Sequence, residues 1–205
     1  MLSETDCHVF RFDYFGTGDS AGHGDQVSIE RWKADIVSAF YELKDVSGVN
    51  RMSVVGARFG ACLALASTDS LHIDNFVLWD PVVSGKNYLY ELEALHNNRN
   101  CFSNTNDPQN LQELMGYPLP SRLRNEIEQI DLLSLTGDGT KKISLISSEN
   151  KEENFQLLDL FNHKGINFEI HRLDEPCSWQ SPEDFDQTLI VNQMLHKIRE
   201  IIVGK

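Results

Sequence analysis

Arg51-Met52-Ser53-Val54-Val55-Gly56-Ala57-Arg58-Phe59-Gly60-Ala61-Cys62-Leu63-Ala64-Leu65-Ala66 is the stretch that decides how this chain folds. Residues 51–55 are short, apolar and β-branched toward their end, which predicts a strand. Residues 61–66 are small and apolar, which predicts a buried helix. Between them stand two glycines, each two positions from Arg58. A strand that passes into a helix over so few residues must turn sharply, and glycines on either side of the centre give the backbone room. This is the outline Gly-x-Ser-x-Gly, a nucleophile elbow, in which a reactive side chain sits at the tip of a strained strand-to-helix turn. Its centre here is Arg58. A guanidinium stays protonated and offers no usable lone pair, so it cannot attack a carbonyl.

Upstream, His8-Val9-Phe10-Arg11-Phe12-Asp13-Tyr14 predicts an aromatic strand running into the glycine cluster Gly16, Gly18, Gly22 and Gly24. Gly16-Thr17-Gly18-Asp19-Ser20-Ala21 has the spacing of a dinucleotide fingerprint. That fingerprint needs a helix to begin inside the motif, with its first amides aimed at a pyrophosphate. Helical periodicity starts only at Ile29 and continues through Trp32, Ile36, Phe40 and Leu43, with Ser28 placed as N-cap. The glycines therefore read as a turn, helped by Asp13, Asp19 and Ser20.

Downstream, Phe76-Val77-Leu78-Trp79 predicts a strand that stops at Asp80-Pro81. After a break come a strand at 143–146, a helix at 153–161, a strand at 166–170 and a closing helix at 185–202. The break, residues 84–135, is polar and Asn-rich, with short helical pieces expected at 111–115 and 123–130. An insertion of this kind between two strands reads as a cap or lid. The expectation is a single α/β domain over 1–205: a mainly parallel sheet with helices on both faces and a helical cap at 84–135.

Composition narrows the function. The 205 residues are 40% hydrophobic and 24% charged, which is globular, and the net charge of −13 argues against nucleic acid and anionic membrane as partners. No apolar run approaches the roughly 20 residues of a membrane helix. The start, Met1-Leu2-Ser3-Glu4-Thr5-Asp6, lacks the basic and apolar regions of a signal peptide. Cys7, Cys62, Cys101 and Cys177 lie far apart and read as free thiols of a cytoplasmic protein. His23, His72, His96, His163 and His196 have no paired ligands, so neither a metal nor a cofactor is expected. Trp79 and Trp179 read as core or pocket lining.

Three stretches together, residues 11–20, the elbow 56–60, and Val77-Leu78-Trp79-Asp80-Pro81-Val82-Val83, resemble the α/β-hydrolase superfamily. The resemblance is nearest to its serine-aminopeptidase-like branch, including hydrolases found beside exosortase systems, and spans nearly the whole chain. It implies that 8–14 is the fourth strand of eight, that 51–55 is the fifth, and that the first three strands and the oxyanion loop are missing. It puts the nucleophile at Arg58 and the acid just after the strand ending near Ser147, at Glu149 or Glu152. The histidine would follow the last strand, where Asp174-Glu175-Pro176-Cys177-Ser178-Trp179-Gln180 contains none, leaving His171 as a displaced base.

The resulting expectation is a degenerate hydrolase kept for binding a small ligand or a protein. The alternative is an active hydrolase of acyl esters or thioesters with a non-standard arrangement. The binding residues expected are Arg58, Phe59, Asp13, Asp80 and Glu149. Arg58, cationic at a helix N-terminus, needs a negative partner. Asp13, Asp80, Glu149 and Glu175 are the internal choices, and an anionic ligand such as a carboxylate is the external one. With three strands missing, 8–14 and 51–55 either pair directly, giving five strands in sequential order, or leave a slot one strand wide. Direct pairing is favoured. A sheet edge carrying Val9, Phe10 and Phe12 is then uncovered and open to self-association.

Overall fold

The computed structural model describes residues 5–98, 113–135, 140–148, 152–173 and 192–204. In chain order its elements are α1 (Ile29–Ser47), β1 (Ser53–Ala57), α2 (Phe59–Leu65), β2 (Asn75–Trp79), α3 (Gly85–Asn98), β3 (Glu113–Leu114), β4 (Tyr117–Pro118), α4 (Ser121–Glu128), β5 (Lys142–Ser147), α5 (Glu152–His163), β6 (Asn167–Arg172) and α6 (Asn192–Val203). The strands β1, β2, β5 and β6 form one parallel sheet in that spatial order.

Side chains alternate across this sheet as the two-residue strand period requires. Phe76, Leu78, Ile143 and Leu145 face a large core shared with α1, α2, α4 and α5. Val77 and Ile146 face the other way and are covered by Met194 and Ile198 of α6. Helices thus lie on both faces, as expected. The first helix begins where the sequence places it: the Ser28 side chain accepts from the Arg31 amide at 3.2 Å, and the Ile29 amide donates to Glu126 of α4 at 2.8 Å. Gly48, at φ 67°, closes it by donating to the Lys44 carbonyl.

The strand expected at 8–14 is not formed. Among the described residues 8–14 pair with no strand and the sheet has four members rather than five, so the favoured direct pairing of 8–14 with β1 is corrected. The aromatic side chains explain where the segment is held instead. Phe10, Phe12, Tyr14 and Trp32 form a chain of ring contacts with centroids 6.2, 5.2 and 5.8 Å apart, and at the end of the segment the Phe15 amide donates to Asp35 and the Trp32 ring N–H to the Phe15 carbonyl, which ties it to α1. Meanwhile β1 spends its ladder bonds on β2. The Arg58 amide donates to the Trp79 carbonyl and the Asp74 amide to the Met52 carbonyl. By the alternation of a strand, the backbone groups of Ser53, Val55 and Ala57 turn outward, and β1 is an edge.

Segment 84–135 is more regular than its composition suggests. It opens with α3, which the sequence did not announce because only Gly85 and Leu89 of its fourteen residues are buried. A Cβ on Gly85 would stand 1.8 Å from the Ile127 carbonyl oxygen, so α3 starts in backbone contact with the end of α4. An ion pair from Arg124 to Glu93 joins the same two helices. The helical piece expected at 111–115 is corrected: Glu113–Leu114 is a strand paired antiparallel to Tyr117–Pro118, with Met115 (φ 54°) and Gly116 (φ 86°) in the left-handed turn between them. Residues 111 and 112, and 185–191 of the closing helix, lie outside the described residues.

The glycine cluster is a turn, with Gly16, Gly18 and Gly22 all at positive φ and the first α-helix starting only at Ile29. Among the described residues no helix is long and apolar enough to cross a membrane.

Candidate functional site: the Arg58 elbow

The elbow has the geometry its glycines imply. A Cβ on Gly56 would lie 2.5 Å from the Ala61 Cα and 2.9 Å from its amide nitrogen, so the strand and the helix can approach this closely only at a glycine. Arg58 takes φ 50° and ψ −126°, a backbone state that is costly for a residue with a side chain. Neighbouring bonds hold it there. Its amide reaches the Trp79 carbonyl at 3.0 Å, and its own carbonyl accepts from Ala61 at 3.1 Å and Val82 at 3.3 Å.

The Arg58 side chain lies over the start of the β2–α3 connection. Nη1 donates to the Asp80 carbonyl at 3.2 Å, and Nη2 stands 3.8 Å from Oε2 of Glu91. The guanidinium side chain is 17% exposed and Glu91 42%, so the cation is the more deeply set of the two. Phe59, next along the chain, lies flat against Tyr88 with centroids 5.5 Å apart and planes 7° from parallel. Burial is the main cause raising the Tyr88 phenol above its ordinary pKa, and the nearby Arg58 pulls the other way. Arg58, Pro81, Ser84, Tyr88, Glu91 and Glu153 line a small cleft that is half open to solvent.

One turn into α2, the Cys62 thiol donates to the Val82 carbonyl, and burial pushes its pKa up to about 12. It is therefore a buried thiol and not a standing thiolate. Asp80 is buried at φ 41°, and its carboxylate accepts from both the amide and the hydroxyl of Ser148 at 2.8 Å. It ties β2 to the end of β5, and its carbonyl accepts from Arg58.

Asp13 sits in the glycine turn, where it accepts from the Asp19 amide at 3.2 Å and closes on Gly18. Glu149 and Glu175 lie outside the described residues, and Glu152 is exposed at the first position of α5. The structure thus joins Arg58, Phe59 and Asp80 and leaves Asp13 apart. It supplies Glu91, a partner absent from the four acids the sequence pointed to. Glu91 reaches the elbow only because 85–98 is a helix, and the hydrophobic pattern carries too few buried positions to announce one.

His171 lies on β6, three strands away from β1, beside Glu169 at 3.5 Å and facing Lys197 and Glu200 of α6. Burial, then the Lys197 charge, holds its pKa below the usual histidine value. Among the described residues no cluster of His, Cys, Asp and Glu is arranged to hold a metal.

No protein-family model matches the chain, and no curated protein does. Solved structures do. Est1E from Butyrivibrio proteoclasticus, determined with ferulic acid bound, superposes with a TM-score of 0.58, covering 94% of this chain and 76% of its own at 16% identity. Alpha/beta hydrolase domain-containing protein 10 from mouse gives 0.56 over 95% and 77% at 15% identity. The alpha/beta hydrolase GrgF from Penicillium sp. sh18 gives 0.51 over 93% and 78% at 13% identity. At such identities the likeness is one of fold, and the fold is that of the α/β-hydrolases.

Proposed function

We propose that this protein is a catalytically silent member of its fold class that binds a small carboxylate at the elbow. The observation that carries the reading is Arg58 itself: a cation stands where the turn would present a nucleophile, with its guanidinium fixed by the Asp80 carbonyl and lining the cleft. A planar, permanently charged fork matches a carboxylate in shape and sign, and a partly desolvated one attracts it more strongly than one in open water. Among the described residues the chemistry of acyl transfer has little support around it. The Cys62 thiol is buried and protonated, and His171 faces α6. Arg58, Phe59 and the Asp80 backbone form the ligand side in this reading. Asp13 belongs to the neighbouring turn, and the part taken by Glu149 stays a proposal from sequence.

The fold neighbour Est1E was solved with ferulic acid, an aromatic carboxylic acid, which makes ferulate a suitable probe. Hydrolysis of p-nitrophenyl acetate tests the silence. The expected rate equals the background of the same buffer for both the native chain and Arg58→Ala. Turnover well above background that Arg58→Ala abolishes would overturn the reading in favour of an ester or thioester hydrolase.

A further inference from the structure

Arg58 meets the Asp80 carbonyl and Glu91 on different terms. The Asp80 carbonyl takes a hydrogen bond of 3.2 Å from Nη1, whereas Glu91 stands 3.8 Å from Nη2, outside hydrogen-bond range but close enough for charge attraction. The carbonyl belongs to a buried loop that Ser148 pins, while the Glu91 side chain is 42% exposed on α3. Of the pair, the guanidinium is the more deeply set member and the carboxylate the more exposed one.

Tyr88 and Glu91 are three residues apart, so one face of α3 sets both an aromatic ring on Phe59 and an acid on Arg58. The groove beside them is half open to solvent. A ligand carboxylate that approaches Nη2 of Arg58 from there competes with Glu91 for the same charge.

We propose that Glu91 is the site's own competitor, a carboxylate carried on α3 that neutralises Arg58 until an incoming carboxylate displaces it. The inference rests on Arg58 being the ligand-holding cation. An internal competitor acts at a high effective concentration, so it depresses the apparent affinity without touching the ligand's own contacts.

Equilibrium dialysis with ferulate tests the proposal on the native chain, Glu91→Gln, Glu91→Ala and Arg58→Gln at about 0.15 M salt. Both Glu91 variants are expected to bind about tenfold tighter than the native chain, and Arg58→Gln to lose binding. Binding seen only in the Glu91 variants supports the proposal equally. Affinity in both Glu91 variants within about twofold of native, with binding still lost in Arg58→Gln, overturns the competitor and leaves the carboxylate site standing. Undiminished binding by Arg58→Gln, or binding by none of the four proteins, overturns the carboxylate site and the competitor with it. Thermal melts confirm that each variant is folded, and agreement between Gln and Ala separates loss of charge from loss of packing.

Discussion

Two aspartates bracket β2 and do the same job at opposite ends of the sheet by different physics. Asp74, before the strand, accepts from the Met52 amide at 2.9 Å and from Lys141 at 2.6 Å, tying β2 to the segments entering β1 and β5. Asp80, after it, accepts from the amide and hydroxyl of Ser148 and lends its carbonyl to Arg58. The first sits near solvent, beside a lysine that is 77% exposed, while Asp80 is 8% exposed and has a positive φ. A near-surface tie is screened by water and salt, whereas a buried one leaves orphaned polar groups when cut. The strained, buried end is also the one that carries the elbow. Rigidity is concentrated where the candidate site is.

The contrast is broken if the two ends respond alike. Asp80→Ala removes two charge-assisted bonds to a half-buried serine and leaves alanine at φ 41°, so it should cost about 3 kcal/mol. Asp80→Asn, which keeps an acceptor and tolerates positive φ, should cost about 1 kcal/mol. Urea midpoints compare both with Asp74→Ala, and equal losses for the two alanine variants would end the distinction.

A smaller effect isolates backbone strain at the elbow. Arg58→Gly and Arg58→Ala lose the same ion pair, but only glycine is at ease at φ 50°. The glycine variant should be more stable than the alanine variant by about 1 kcal/mol, read from the same midpoints. The smallest effect belongs to Asp74. The hydrogen bond from Lys141 is the main cause holding its carboxyl below the usual range. A depressed carboxylate contributes stability above its unfolded pKa and loses it as pH falls through the folded one. Between about pH 6 and about pH 3, native stability should therefore fall more steeply than that of Asp74→Asn, and about 1 M salt should shrink the difference.

The elbow was legible because its constraint is local. Period, glycine spacing and the switch from strand to helix all fall within 51–66, and β1, Arg58 and α2 lie where those signals place them. The strands β2 and β5 were legible for a related reason, since Phe76, Val77, Leu78, Ile143, Leu145 and Ile146 are apolar and fully buried. Segment 8–14 misled because alternating aromatics describe a face that packs, and a strand also needs a neighbour for its backbone. In α3 the failure ran the other way: a helix laid over the domain with two buried residues carries almost no periodic signature, and Glu91 stayed hidden with it.

Gly56 shows that the outline of the elbow and its chemistry answer to different pressures. Its lack of a side chain is demanded by the Cα of Ala61, 2.5 Å from where a Cβ would stand, whatever residue occupies position 58. The packing of α2 against β1 constrains position 56 and leaves position 58 unspecified. A glycine frame found in a sequence therefore reports a close approach of backbone, and says nothing by itself about whether a reaction is performed at its centre.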